Sequence, residues 1–290
     1  IMFKLAIGST NFNQGYGIDN ISLKNTKNIK NIFKEIDKNK IKFFDTAIDY
    51  KLEKNLTDSI NLKNLKITTK IRLPNINKKR FILNIKKKIQ YELKKFQIER
   101  FDTILLHNIN DLKSSKYRLK LINELIELKK KKLTSKIGVS IYEPNDLKTV
   151  FKIFNPDVIQ IPLNIFDQRF LKNDLLKKKK KKKILIQVRS IFLQGLLLKN
   201  HKEINKIKYK KRLKQKLINF REWCFSSKLT QLNACIQFIK NIKHIDLIIL
   251  GINNSTQLKE IIKIFKKKDK IKNFKDFLID DKSLIDPRKW

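Results

Sequence analysis

A chain of 290 residues with 41% hydrophobic content can bury one large core and suits a single α/β barrel of about 250 residues. No run of ~18 apolar residues occurs, which argues against a membrane-spanning helix. Residues 1–8 are too short and wrongly patterned for a signal peptide, so a cytoplasmic protein with no membrane partner is expected.

The formal net charge is +41 and the pI near 10.1, which invites a nucleic-acid or anionic-surface reading. Against it, Lys, Asn and Ile are abundant together while Gly, Pro, Met and Trp are scarce, and the lysines are spread over almost every expected helix. That pattern is compositional drift. It implies weak, salt-sensitive contact with polyanions and no specific nucleic-acid partner. Cys224 and Cys235 fall in helix-like segments without metal-ligand spacing or a Cys-x-x-Cys pair. They read as buried free thiols, and no metal is expected.

In chain order, Phe3–Ile7 reads as a strand, followed by Gly8-Ser9-Thr10 and a polar loop from Asn11 to Gly17. Gly15 and Gly17 make no dinucleotide fingerprint, because a third glycine and a closely following helix are both missing. Ile29, Ile32, Phe33 and Ile36 mark one face of a helix. Residues 41–47 form the next strand, with Asp45 at its end and Tyr50 in the loop beyond; Glu53–Ile60 suits a short helix. A strand from Leu65 to Thr69 ends in Lys70, and a long helix is expected over about 78–96. Phe101–Leu106 is a strand ending in His107, followed by a helix over about 115–131. Lys136–Val139 is a strand ending in Ser140, followed by a helix near 144–154. Asp157–Ile161 is a strand containing Gln160. A helix over about 168–178 should run into the solvated lysines Lys177–Lys183. Ile184–Val188 ends in Arg189-Ser190, and an extra helix or two should lie between about 203 and 242. Ile245–Leu250 ends in Gly251, a last helix covers about 255–267, and the tail 268–290 is irregular and placed to cover the rim.

Eight short apolar strands, each followed by a helical segment, imply parallel strands covered on both faces. The expected fold is therefore α/β, a closed (β/α)8 TIM barrel, as one domain over 1–290; the doubly wound open sheet is the alternative. In such a barrel the C-terminal strand ends face one mouth. Asp45, Lys70, His107, Ser140, Arg189 and Gly251 all fall there, and Gln160 lies inside its strand near the same end. A phenol holds its proton to a pKa of about 10. A neighbouring ammonium stabilises the phenolate, a carboxylate keeps that ammonium charged and aimed, and an imidazole can hydrogen-bond a substrate oxygen. Those groups together suit proton delivery to a carbonyl during its reduction.

Taken with their order, the pieces Phe-Phe-Asp45-Thr-Ala-Ile-Asp-Tyr50, Ile-Thr-Thr-Lys70, Leu-Leu-His107-Asn, Ile-Gly-Val-Ser140, Val-Ile-Gln160, Arg189-Ser190 with Gln194-Gly195, and Gly251 to Glu260 make the chain resemble the aldo-keto reductase superfamily over nearly its whole length. The resemblance implies a TIM-type barrel that binds a nicotinamide cofactor, NADPH ahead of NADH, and acts on an aldehyde, ketone or sugar carbonyl, as a monomer or weak homo-oligomer. It implies Tyr50 as proton donor, Lys70 and Asp45 as its tuning pair, and His107 as substrate orienter. Ser140 and Gln160 match the nicotinamide clasp, and Gly8, Ser9 and Thr10 the loop beside it. Arg189 stands where an aromatic ring often stacks, and Ser190, Gln194 and Gly195 lie along the pyrophosphate. Gly251, Asn253, Gln257 and Glu260 fall at the adenosine end. The chain departs from the pattern at Lys51, where glycine is usual, and at Ile141, where asparagine is usual. Asn253 or Asn254 replaces the basic residue that often meets the 2′-phosphate, with Lys259 as a substitute. The start at the first barrel strand leaves no room for a bottom-plugging hairpin. Two other functions stay open: a cofactor-binding regulatory or scaffold protein with little catalysis, and a non-specific polyanion binder. Arg169 is expected to be a salt-bridge partner at the barrel rim, with a substrate role as the alternative.

Overall fold

The computed structural model of the chain describes residues 4–13, 15–23, 25–113, 115–172, 183–206, 211–267 and 274–290. Eight parallel strands close into a barrel in sequence order: β1 (Lys4–Gly8), β2 (Phe43–Asp45), β3 (Lys66–Ile71), β4 (Phe101–Leu106), β5 (Thr134–Ser140), β6 (Val158–Pro162), β7 (Leu185–Arg189) and β8 (Leu247–Gly251). β8 pairs back onto β1, which sets Gly251 opposite Gly8. This is the (β/α)8 architecture expected from the strand count.

The pleat decides what the site receives. Side chains alternate between the barrel interior and the helix layer. Ala6, Leu247 and Ile249 pack together with Phe43 as an inner layer. Asp45 follows two residues after Phe43 on the same face, and its register partner Gly8 follows two after Ala6. The intervening Phe44 turns outward instead. Its ring lies 6.1 Å from Phe12 and 5.7 Å from Phe33 of the helix Thr26–Lys38. That helix buries Ile29, Ile32, Phe33 and Ile36 and starts at Asn25, whose side chain accepts from the Lys27 N–H. Each such side chain contributes about 1.5–3 kcal/mol on burial.

The structure departs from the sequence reading in several stretches. The helix over 78–96 is two helices, Lys78–Leu83 and Ile85–Phe96. Asn84 joins them with non-helical angles, and its side-chain N–H donates to the Arg80 carbonyl, diverting the backbone from a continuous helix. Residues 169–172 form turns, and the rest of the helix expected over about 168–178 lies outside the described residues. There Gln168 donates to the carbonyls of Ile165 and Phe274, and Arg169 bends back onto Asp167. Most of the Lys177–Lys183 run lies outside the described residues. Among the described residues between β7 and β8 lie the α-helices His201–Asn205, Lys211–Ser226 and Gln231–Lys240. The tail from 274 to 290 carries the short helix Lys282–Ile285 and the 3-10 turns Lys275–Phe277 and Pro287–Lys289. Among the described residues no helix is long and apolar enough to cross a membrane, and no group of metal-ligating side chains gathers.

Candidate active site

A cleft of about 460 Å³ opens at the C-terminal end of the barrel. Asp45, Lys70 and His107 enter it from the ends of β2, β3 and β4, and Tyr50 from the 3-10 turn Ile48–Tyr50. The turn is closed by Lys51, whose φ of 47° is the left-handed conformation that glycine adopts most easily. So the lysine keeps the backbone shape that the expected glycine would give.

Lys70 is 2% exposed and Asp45 4%. Lysine is rarely buried unpaired. Here its Nζ donates to Asp45 Oδ2 at 2.5 Å and to the Thr46 carbonyl at 2.9 Å. The same Nζ lies 5.5 Å from the centre of the Tyr50 ring. The other Asp45 oxygen accepts from Gln160 Nε2 at 3.0 Å, and Gln160 also donates to Gln187 at 3.1 Å. Both carboxylate oxygens are therefore occupied. The Gln160 side-chain oxygen is buried and receives no hydrogen bond.

His107 meets the Tyr50 ring edge-on, with 6.0 Å between ring centres. Burial first, then the Lys70 and Arg72 cations, hold the imidazole below its ordinary pKa, and Asp49 partly offsets them. His107 beside Asp49 in turn lowers that carboxyl. Their 3.8 Å separation is an ion-pair contact, longer than a hydrogen bond. Tyr16 is 37% exposed as a residue, yet burial at its hydroxyl pushes its pKa up to about 12.

The sequence-expected cofactor residues divide into two groups. Gly8, Thr10, Gln160, Arg189, Ser190, Gln194, Gly195, Gly251, Asn253 and Gln257 line the cleft. Ser9, Ser140 and Glu260 do not. Ser9 is fully buried and donates to the Thr46 hydroxyl. Ser140 is 1% exposed and accepts from Arg189 Nε at 3.4 Å. Glu260 is exposed on the outer helix Ser255–Lys266. Lys259, on the same helix, lies 3.4 Å from Glu35. Arg169 is paired at the rim, as expected, with Asp167 at 2.8 Å and Glu143 at 2.7 Å.

Several lining groups escaped the sequence reading. Arg189 and Arg288 lie over the Tyr142 ring, at 4.1 and 3.5 Å from its centre. Tyr142 is two residues beyond Ser140, so counting past the strand end could have found it. Nothing in the irregular tail announces Arg288. Lys199 reaches Asp19 and Glu203, joining the loops after β1 and β7. Gly17 lies under the same crossing: its φ is +79°, and a Cβ there would stand 2.9 Å from the Gln194 carbonyl.

The mouth fits a flat heteroaromatic carboxamide on two observations. A Cβ added to Gly251 would meet nothing within 4 Å, so the glycine leaves open space beside its register partner Gly8. And the unpartnered Gln160 oxygen offers a buried acceptor to an amide N–H.

Comparison with known proteins agrees on the fold. Residues 4–278 match the model of the aldo/keto reductase family. No curated protein sequence matches the chain. Among solved structures, aldo-keto reductase AKR11C1 from Bacillus halodurans is similar with a TM-score of 0.72 at 17% identity, covering 93% of this chain and 88% of its own. A glycerol dehydrogenase, AKR11B4, from Gluconobacter oxydans is similar with a TM-score of 0.70 at 16% identity, covering 98% and 92%. At these identities the likeness to the two structures concerns the barrel alone.

Proposed function

Because the chain belongs to the aldo/keto reductase family, and is on that ground a nicotinamide-dependent oxidoreductase, we propose that it interconverts an aldehyde, ketone or sugar carbonyl with the alcohol, using Tyr50 as proton donor. The observation that carries this reading is the buried Lys70–Asp45 pair, with its ammonium 5.5 Å from the Tyr50 ring. Bound dihydronicotinamide supplies the reducing equivalent. The protein's own residues do the rest.

Tyr50 gives its proton to the substrate oxygen as negative charge develops there. The Lys70 ammonium stabilises the phenolate left behind. Asp45 holds Lys70 in place, and Gln160 fixes the second carboxylate oxygen so that the pair cannot rotate away. Gly8, Thr10 and Gln160 line the part of the cleft that receives the nicotinamide end. The loop from Ser190 to Gly195 follows the pyrophosphate. Ser190, Leu193, Gln194 and Gly195 all have positive φ, and the Leu193 and Gly195 N–H groups donate to the Ser190 and Phe192 carbonyls, so the loop folds tightly along the cleft. Asn253 and Gln257 lie at the adenosine end. The resemblance favours NADPH over NADH, with Lys259 on the helix Ser255–Lys266 as the cation for its 2′-phosphate.

The test is purified protein with NADPH or NADH and a panel of aldehydes, ketones and sugars, against Tyr50→Phe. Turnover that depends on Tyr50 supports the reading; a panel including sugars that shows none above the variant refutes it.

A second reading, a cofactor-binding regulatory protein with little catalysis, draws on Arg189. Its guanidinium lies against Ser140 and Tyr142, where the clasp for the nicotinamide amide was expected. Fluorescence titration with NADPH separates the two: tight binding without turnover favours the regulator.

A further inference from the structure

Large exposed hydrophobic side chains are not spread evenly over this molecule. Among the described residues there are seven, and five of them, Ile76, Leu83, Tyr91, Leu119 and Ile126, come from the segments after β3 and β4. Of the other two, Tyr16 belongs to the cleft and Phe225 lies on the helix Lys211–Ser226. Single exposed apolar residues are ordinary on a protein surface; a gathered set marks a place of contact.

The helices concerned, Lys78–Leu83, Ile85–Phe96 and Ser115–Lys130, pack against one another on the outside of the barrel. Each is anchored by another stripe. Ile82, Ile85, Ile89 and Leu93 are buried, as are Leu121, Leu125 and Leu128. Leu83, Tyr91 and Leu119 turn away from those stripes and are 56%, 68% and 65% exposed. Ile76, just before the first of the helices, is 75% exposed. Leu119 and Ile126 are seven residues apart, so they share one outward line.

The charge around them has one sign. Neither 74–91 nor 112–123 contains Asp or Glu, while Lys79, Arg80, Lys87, Lys88, Lys116 and Lys120 are all exposed there. Beyond these stretches, Glu92 is held by Lys95 at 2.6 Å and Glu127 by Lys130 at 2.9 Å. A second copy of the chain would set cation against cation, so the face calls for an anionic partner. Helices wrapped round a barrel also present a convex outer face. A partner helix needs a groove. Separate apolar side chains on a convex face suit a fluid layer that closes round each of them, with lysine stems lying along it and their ammonium groups among its anions.

We propose that this face docks on the surface of an anionic lipid bilayer. Ile76, Leu83, Tyr91 and Leu119 enter the headgroup layer, and the exposed cations lie among the lipid phosphates. No spanning helix is needed. This departs from the expectation of no membrane partner, which rested on the lack of a spanning segment. None of these residues lines the cleft, so docking leaves the active-site residues untouched, and the inference does not rest on the reductase reading.

The test is co-sedimentation of the full chain with phosphatidylcholine vesicles, with and without phosphatidylglycerol, over a range of salt. The net charge of +41 would by itself give adsorption that salt abolishes, so the apolar side chains decide the outcome. Binding is expected only with phosphatidylglycerol, and part of it should persist once salt screens the surface charges. Leu83→Ser combined with Leu119→Ser should weaken it by about ten-fold, and Lys79→Gln combined with Lys116→Gln by roughly as much. Phe225→Ser removes an 87% exposed ring that lies off the face, and should change nothing. All the altered side chains are exposed, and circular dichroism checks that the variants fold.

Absence of binding to phosphatidylglycerol vesicles overturns the proposal, as does equal binding to phosphatidylcholine alone. Binding that the two leucine changes leave intact is adsorption by charge only and overturns it too, as does an equal loss in Phe225→Ser. Two other occupants are checked with the same proteins. A dimer in light scattering that the leucine changes dissociate gives the face to a second copy. Fluorescent polyglutamate that binds as tightly as the vesicles and depends on the same leucines gives it to an acidic protein. Either result overturns the lipid assignment.

Discussion

Lys199 grips both carboxylate oxygens of Asp19 at 2.5 Å, across a separation of 180 residues. Burial disfavours its charge, but the Asp19 and Glu203 carboxylates more than offset this and hold the ammonium above its ordinary pKa. The contact ties the loop after β1 to the loop after β7 at the cleft proposed to take the cofactor. Lys199→Ala should leave the fold intact and let the two loops part. The expected outcome is a cofactor Kd raised roughly three- to ten-fold, about 0.7–1.4 kcal/mol, mainly through faster dissociation in stopped-flow fluorescence.

Asp45→Asn should be costly twice over. It leaves the Lys70 ammonium buried without its counter-ion, a loss of about 3–5 kcal/mol in denaturant unfolding. Adding Lys70→Met should recover part of that stability, because the stranded charge goes with it. Neither protein should recover Tyr50-dependent turnover.

Gly251→Leu tests the open space beside Gly8. Nothing stands within 4 Å of the added Cβ, so unfolding free energy should change by less than about 1 kcal/mol. The side chain would instead enter the cleft space proposed for the cofactor. NADPH affinity is expected to fall more than about ten-fold by titration, while circular dichroism stays the same.

Acid should weaken the protein through His107 before it reaches the carboxylates. Burial holds the His107 pKa below 6.5, so between that folded value and 6.5 the unfolded chain binds more protons. Stability then falls as pH drops below about 6.5. The lowered Asp49 carboxyl acts in a different window: its contribution persists until pH falls below the usual carboxylate range. Melting temperature measured from pH 7.5 to 5.5 should decline less steeply in His107→Gln than in the unaltered protein.

The barrel was legible because its signals are local and repeated. The apolar stripe Ile29, Ile32, Phe33 and Ile36 is buried as the helical period requires. Asp45, Lys70 and His107 could be gathered by one rule, that parallel strands end at a common mouth. That rule places residues and does not aim them. Ser9 and Ser140 are at the right strand ends, yet hydrogen bonds to Thr46 and Arg189 turn their hydroxyls aside. The break at Asn84 was missed because the apolar period runs through it, while a single side-chain bond to Arg80 decides the backbone. The Arg288 contact depends on how the tail returns to the mouth, and no periodic pattern records such a return.

One aromatic ring, that of Tyr142, thus joins three stretches of chain: the turn after β5, the end of β7 and the tail. Its two arginine neighbours lose their shared platform if the ring is exchanged for an aliphatic group. Inheritance should bear the mark of this. Descendants or cousins in which position 142 is no longer aromatic ought to have changed positions 189 and 288 as well, and lineages that keep the ring ought to keep at least one of the two guanidinium groups.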